Sequence, residues 1–162
     1  MTERPDDVVV SAETLERMRG ELDELETTGR SEMGERLQRA REFGDIRENA
    51  EYDAAKDAQA LMESRIRQLQ HLIKHAVVRD PPASVEEAGP GVIVSVREQG
   101  EEEVEQYLLA VTNEERVSGI RTVTTSSPLG KALAGKRVGE TVRVEAPGGA
   151  FSVEVVDLRP SA

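Results

Sequence analysis

Residues 41–52, Arg41-Glu42-Phe43-Gly44-Asp45-Ile46-Arg47-Glu48-Asn49-Ala50-Glu51-Tyr52, separate two long helical patterns. Upstream, Leu15, Met18, Leu22 and Leu25 step by three and four, and the stripe continues through Gly29, Met33, Leu37 and Ala40. Downstream it resumes at Ala50, Ala54, Ala58, Leu61, Leu69, Leu72 and Ala76, with Ile66 and Ile73 beside it. Apolar stripes flanked by charge mark a narrow coiled-coil seam. No proline occurs between Asp6 and Asp80 to interrupt either helix. Two helices of about 30 residues joined by a turn near Phe43-Gly44 must fold back on each other, giving an antiparallel hairpin about 45 Å long. The apolar side chains shrink to alanine near the turn, so the far tip is expected to be slender.

Within the tip, Asp45 and Glu48 stand three residues apart at the start of the second helix, on nearly one face. Hard oxygen donors of this kind suit Mg²⁺, which takes one or two carboxylates and keeps several waters. At the end of a long hairpin they form no closed site, so a metal there belongs mainly to another molecule. The same spacing is also a capping box, in which Asp45 accepts from the Glu48 amide and Glu48 reaches back. The two roles are compatible, and spacing alone does not choose between them. Arg36, Arg39, Arg41, Arg47 and Lys56 surround the turn. They read either as salt-bridge partners of Glu32, Glu35, Glu42 and Asp53 or as a small phosphate-contacting patch.

Beyond Asp80 the grammar changes. Pro81 and Pro82 open a stretch containing Gly89-Pro90-Gly91, and residues 81–90 read as a linker between a helical domain (1–80, tip near 43–52) and a second domain (91–162). There the period is two: GVIVSVRE, EVEQYLLAV, GIRTVTT, ETVRVEA and AFSVEVVDL read as strands, with a turn at Pro147-Gly148-Gly149. A short helix is expected around Leu129–Ala134. The fold class is therefore α+β: a helical hairpin followed by a small antiparallel sheet carrying one helix.

Composition excludes several functions. The 162 residues carry 21 basic and 32 acidic side chains, net charge -11, and both halves are acidic, which disfavours a duplex-DNA binder. With no Cys and only His71 and His75, thiolate chemistry and multi-histidine metal sites are out. The two histidines, four residues apart without an intervening HExxH glutamate, read as helix-surface residues. No apolar run is long enough to span a membrane, so a cytoplasmic protein without membrane contact is expected. No phosphate-binding glycine loop occurs. Ser126-Ser127-Pro128 lacks a histidine base in its half and reads as a turn.

The string REFGDIRENAEYDAAKDA resembles the tip signature of bacterial transcript cleavage factors of the GreA/GreB family, and SSPLGKALAGKRVGETV followed by a PGG hairpin is similar to that family's C-terminal domain. The resemblance spans roughly Ser11 to Leu158. It implies an N-terminal antiparallel coiled coil, an FKBP-like C-terminal domain, and RNA polymerase as partner. The C-terminal domain would dock at the rim of the secondary channel while the coiled coil enters it, toward the RNA 3′ end. Asp45 and Glu48 match the tip carboxylates that help hold a Mg²⁺ shared with the polymerase active site, which hydrolyses backtracked RNA. Arg41, Arg47 and Lys56 match basic positions that contact RNA or polymerase. Ser127, Pro128 and Leu129 match a polymerase-docking motif. The chain departs from the family pattern at Asp53, where a histidine is usual, at Asp57, which adds an acid, and at Ser31, where a proline is common.

The resemblance implies an activator of another enzyme's active site, with no complete site of its own; a long acidic hairpin needs no partner copy, so a monomer is expected. The alternative is a regulator that occupies the same channel without promoting cleavage; a third reading is a coiled-coil adaptor unrelated to transcription. Prolyl isomerisation, suggested by the FKBP-like fold, needs several aromatic walls, and this half offers only Tyr107 and Phe151.

Overall fold

The computed structural model describes residues 4–42 and 46–161, and the side chains of all of these except 46–49. The described chain forms two compact units, one of residues 16–75, the other combining the residues up to Leu15 with those from Ala76 onward. The division at residues 80 and 91 read from the sequence therefore differs from the division by contacts.

The helical unit is built from α1 (Ala12–Glu24), a π-helical segment (Leu25–Gly29), α2 (Arg30–Arg41) and α3 (Ile46–Lys74). On the first strand of the hairpin the predicted stripe is the inward one: Met18 and Ala40 are buried, and Leu22, Leu25, Met33 and Leu37 are half-buried. The π segment has a geometric cause. From Leu25 through Gly29 and Met33 to Leu37 the stripe advances by three successive steps of four, which at about 100° per residue overshoots three α-helical turns by about 120°. One extra residue in a wide π turn takes up most of that excess and keeps the stripe on the seam. Gly29 stands where the helices approach closely, since a Cβ there would lie 3.3 Å from Met62 Sδ.

On α3 the inward positions are Tyr52, Ala55, Met62, Ile66 and Leu69, whereas Ala50 and Ala54 are exposed and Leu61 is 74% exposed. The predicted stripe is thus correct at Ala58, Ile66, Leu69 and Leu72 but misplaced at Ala50, Ala54 and Leu61. Alanines at 50, 54, 55, 58 and 60 give the pattern no contrast there, and Leu61 alone misdirects it. Cross-helix pairs fix the antiparallel register. Arg65 forks onto Glu21 at 2.7 and 2.9 Å, and Arg30 onto Glu63 with both contacts at 3.0 Å. Helix α3, with 29 residues, spans about 44 Å at 1.5 Å per residue.

The second unit holds a five-stranded sheet in the order β5-β4-β3-β7-β6, from β3 (Val92–Glu98), β4 (Val104–Ala110), β5 (Arg121–Thr124), β6 (Thr141–Ala146) and β7 (Gly149–Pro160). All five predicted strands are present. The sheet is mixed, however: β5 runs parallel to β4, pairing Tyr107 with Arg121 through Ala110 with Thr124. Alternation identifies a strand but carries no information about direction, and residues 111–120 carry the chain back to start β5 alongside β4. A two-stranded parallel sheet, β1 (Val8–Val10) with β2 (Ala76–Val78), was not expected from the sequence. Each strand is only three residues long, too short for a period, and parallel pairing is possible because the helical hairpin serves as the crossover.

Alternation places Val92, Val94 and Val96 of β3 with Val142, Val144, Val153 and Val155 on one face, where they form the core with Leu109 and Leu133. Ile93 and Leu108, on the other face, are also buried. The stretch read as a linker joins this core through Ala88, whose N–H donates to the Lys136 carbonyl and whose carbonyl accepts from Gly135, both at 2.8 Å. No helix among the described residues is long and apolar enough to cross a membrane.

Candidate functional site: the hairpin tip and the α4 corner

At the tip, α2 and α3 can lie close because their inward residues are small: Ala40 is 7% exposed and Ala55 fully buried. Next to them, Arg41 Nη2 donates to the Tyr52 hydroxyl at 3.2 Å, and its guanidinium carbon lies 5.5 Å from the ring centroid. This pair bridges the two helices near the tip. The hydrogen bond from Arg41 holds the Tyr52 phenol below its ordinary value of 10.0, with the positive charges of Arg41 and Lys56 acting the same way and burial and Asp53 opposing. Both Arg30–Glu63 and Arg41–Tyr52 are centred in sequence between residues 46 and 47.

Asp45, and the side chains of Arg47 and Glu48, lie outside the described residues, and so does the capping box. Lys56 is exposed and donates to Gln59 Oε1 at 3.4 Å. Arg36 and Arg39 are exposed too. Among the described residues, neither they, Arg41 nor Lys56 forms an ion pair with Glu32, Glu35, Glu42 or Asp53. The salt-bridged reading of this cluster is not realised there. His71 and His75 lie against each other, with ring centroids 4.5 Å apart and planes tilted by 46°.

The second predicted contact region is the corner before α4 (Pro128–Leu133). Ser127 Oγ donates to the Thr124 carbonyl at 2.7 Å and accepts from the Gly130 amide at 3.1 Å. It is the N-cap of α4, and Pro128 stands in the first turn, where its missing N–H costs nothing. Gly130 is sterically required: a Cβ there would lie 1.9 Å from the Thr124 carbonyl oxygen. The corner thus presents an exposed Pro128 and a half-buried Leu129, while Ser127 spends its hydroxyl on holding them. Leu129 and Phe151 together line a shallow apolar depression with Val123, Val144 and Pro147.

Residues 8–78 match the family described as transcription elongation factor, N-terminal, and residues 83–160 match transcription elongation factor, GreA/GreB, C-terminal. The chain belongs to the GreA/GreB family. It is 40% identical over 152 residues to the transcription elongation factor GreA of Saccharopolyspora erythraea, covering 93% of each chain. To the transcription elongation factor GreA of Caldanaerobacter subterraneus subsp. tengcongensis it is 36% identical over 154 residues, covering 94% of this chain and 97% of that one. Among solved structures, the GreA factor homolog 1 (Gfh1) protein of Thermus thermophilus is 27% identical, with 94% and 99% of the two chains covered and a TM-score of 0.43.

Within this GreA/GreB chain, the sequence reading missed the bridging role of Tyr52. The signal was present in the Arg41 and Tyr52 positions, which a hairpin centred on residues 46 and 47 brings together. It also missed Gly130, whose necessity arises from the distant Thr124 carbonyl and leaves no local trace.

Proposed function

We propose that this chain is a transcription elongation factor that binds RNA polymerase, enters its secondary channel with the helical hairpin and stimulates cleavage of backtracked RNA. The observation that carries the reading is the family match across both halves of the chain. A hairpin two helices wide reaches a recessed site that a globular domain cannot. Only its outermost residues need carry chemistry.

Asp45 and Glu48 are the proposed metal-binding and catalytic pair, working with carboxylates of the polymerase. Their chemistry fits Mg²⁺: both are hard oxygen donors, and two carboxylates with water are an ordinary share of its coordination sphere. Bound there, Mg²⁺ supplies Lewis-acid stabilisation of the charge that develops on the phosphoryl group during hydrolysis. The chain's own residues position and balance. Arg41, fixed against Tyr52, and the exposed Lys56 present positive charge beside the tip, where Arg47 also lies in sequence, and so favour RNA phosphate. The α4 corner provides docking through Pro128 and Leu129, with Ser127 as the cap that holds both in place. The protein works as a monomer.

The test replaces the tip pair by neutral isosteres, Asp45→Asn with Glu48→Gln. Transcript cleavage in backtracked complexes should fall by at least about a hundredfold, as when a transition-state charge stabiliser is lost, while polymerase binding persists. Equal loss of folding or binding would assign the pair to helix capping instead.

A further inference from the structure

The C-terminal end of α3 carries a second set of ligating side chains, at the opposite end of that helix from the tip. His71 and His75 stand one helical turn apart, the first exposed and the second half-buried. The backbone N–H of His75 donates to the His71 carbonyl at 3.2 Å, so a helical hydrogen bond closes the turn that carries both rings. The ring centroids are 4.5 Å apart. Among the described residues, neither imidazole makes a hydrogen bond or an ion pair, and their ring contact is with each other. Of the neighbouring cations, Arg67 acts on Glu63, one turn closer to the tip, and Lys74 is exposed.

We propose that His71 and His75 chelate one divalent transition-metal ion, Cu²⁺ or Ni²⁺ in preference to Zn²⁺, with water in its remaining positions. The ring separation selects the geometry. With a metal–nitrogen bond of about 2.0–2.1 Å, each ring centre lies about 3.2 Å from the ion; two rings at about 90° then have centres about 4.5 Å apart, and at the tetrahedral angle about 5.2 Å. The observed 4.5 Å matches the right-angled pair, an arrangement of tetragonal Cu²⁺ and Ni²⁺ rather than of tetrahedral Zn²⁺. Imidazole suits these ions, whereas Mg²⁺ takes hard oxygen donors. Electrostatics at this end of the helix agree. The last carbonyls of α3 are the negative end of its macrodipole, and the chain's net charge of -11 draws cations to it. Two histidines are too few for a closed site, and no group of three or more metal-ligating side chains is placed to hold an ion among the described residues. The ion is therefore exchangeable. By linking two rings across the last turn, it holds the end of α3 in helical form.

The experiment titrates the full chain by calorimetry with CuCl₂, NiCl₂, ZnCl₂ and MgCl₂ in turn, in mildly alkaline buffer, because an imidazole ligates only in its neutral form. Wild type is compared with His71→Gln, His75→Gln and the double variant. Glutamine keeps the helix propensity of α3, and circular dichroism verifies folding. Wild type should bind one Cu²⁺ or Ni²⁺ per chain, each more tightly than Zn²⁺, and should ignore MgCl₂. Either single variant leaves one ligand and should lose at least about a hundredfold in affinity, the share contributed by a second tethered ligand. Saturating Ni²⁺ should raise the melting temperature of wild type and leave that of the double variant unchanged. No saturable binding by wild type, unchanged affinity in either single variant, or full binding by the double variant would overturn the site. Zn²⁺ bound more tightly than Ni²⁺ would overturn the right-angled assignment. None of these readouts involves polymerase, so the site stands or falls apart from the function proposed above.

Discussion

Gly130→Ala tests how the α4 corner is held. The new Cβ would lie 1.9 Å from the Thr124 carbonyl oxygen, 2.7 Å from its carbon and 3.0 Å from Thr125 Cα, against the 3.4 Å at which ordinary contact begins. All three atoms are backbone, so no side-chain rotation relieves the clash, and α4 must move away from β5. Overpacking of this kind costs about 1–3 kcal/mol. The shift also stretches the 3.1 Å bond from the Gly130 amide to Ser127 Oγ, a cap worth about 0.5–2 kcal/mol. A total near 3 kcal/mol should lower the melting temperature of the sheet unit by about 15 °C, at about 4–8 °C per kcal/mol for a unit of this size. Gly20→Ala is the control, because nothing lies within 4 Å of its added Cβ and it stands inside α1; it should stabilise by about 0.5–1 kcal/mol. Scanning calorimetry reads both. If Gly130→Ala melts within about 2 °C of wild type, the close approach of α4 to β5 is not the constraint argued from the 1.9 Å contact.

Ser127→Ala removes the cap without a clash and should destabilise the sheet unit by about 1 kcal/mol, measurable by urea titration. The chain's two tyrosines and lack of tryptophan make alkaline ultraviolet titration clear. Tyr52 should ionise below 10.0, held down chiefly by the Arg41 hydrogen bond, and Tyr107 near 12, raised first by burial and then by Glu105; Tyr52→Phe should remove the earlier phase. Because the folded pKa of Tyr107 is raised, its contribution to stability is complete below about 10 and is lost as pH rises toward 12. The Glu63 carboxyl, held below its ordinary 4.5 by the hydrogen bond from Arg30, has the opposite sign. Its contribution to the helical hairpin is present above that value and is lost as pH falls through the depressed pKa, which Glu63→Gln should abolish in an acid melt.

Much of this architecture was legible because its signals are local and periodic. The stripe from Leu15 to Ala40 survives as the inward face of the first helical arm, even where a π segment was needed to carry its run of fours. The five strands and a short helix near Leu129 were equally visible, whereas Ser126-Ser127-Pro128 read only as a turn and the capping role of Ser127 emerged from its bonds to Thr124 and Gly130. Illegible features depended on partners distant in sequence. The alanine-rich start of α3 offers several equivalent frames, and only the facing helix selects Ala55 and Met62. The parallel placement of β5, the pairing of β1 with β2 and the entry of Ala88 into the core are likewise set by tertiary contact. At the tip, spacing and the resemblance nominate Asp45 and Glu48, whereas the Arg41–Tyr52 bridge is set by contact between the two helices. His71 and His75 were legible as a pair four residues apart, but the ring separation that suits them to one ion was not.

The most direct test of the central claim is RNA cleavage in stalled, backtracked elongation complexes with Mg²⁺, with and without this protein. A clear rise in shortened transcripts that then resume elongation is the predicted result. No rise, from protein shown to occupy the polymerase, would contradict it.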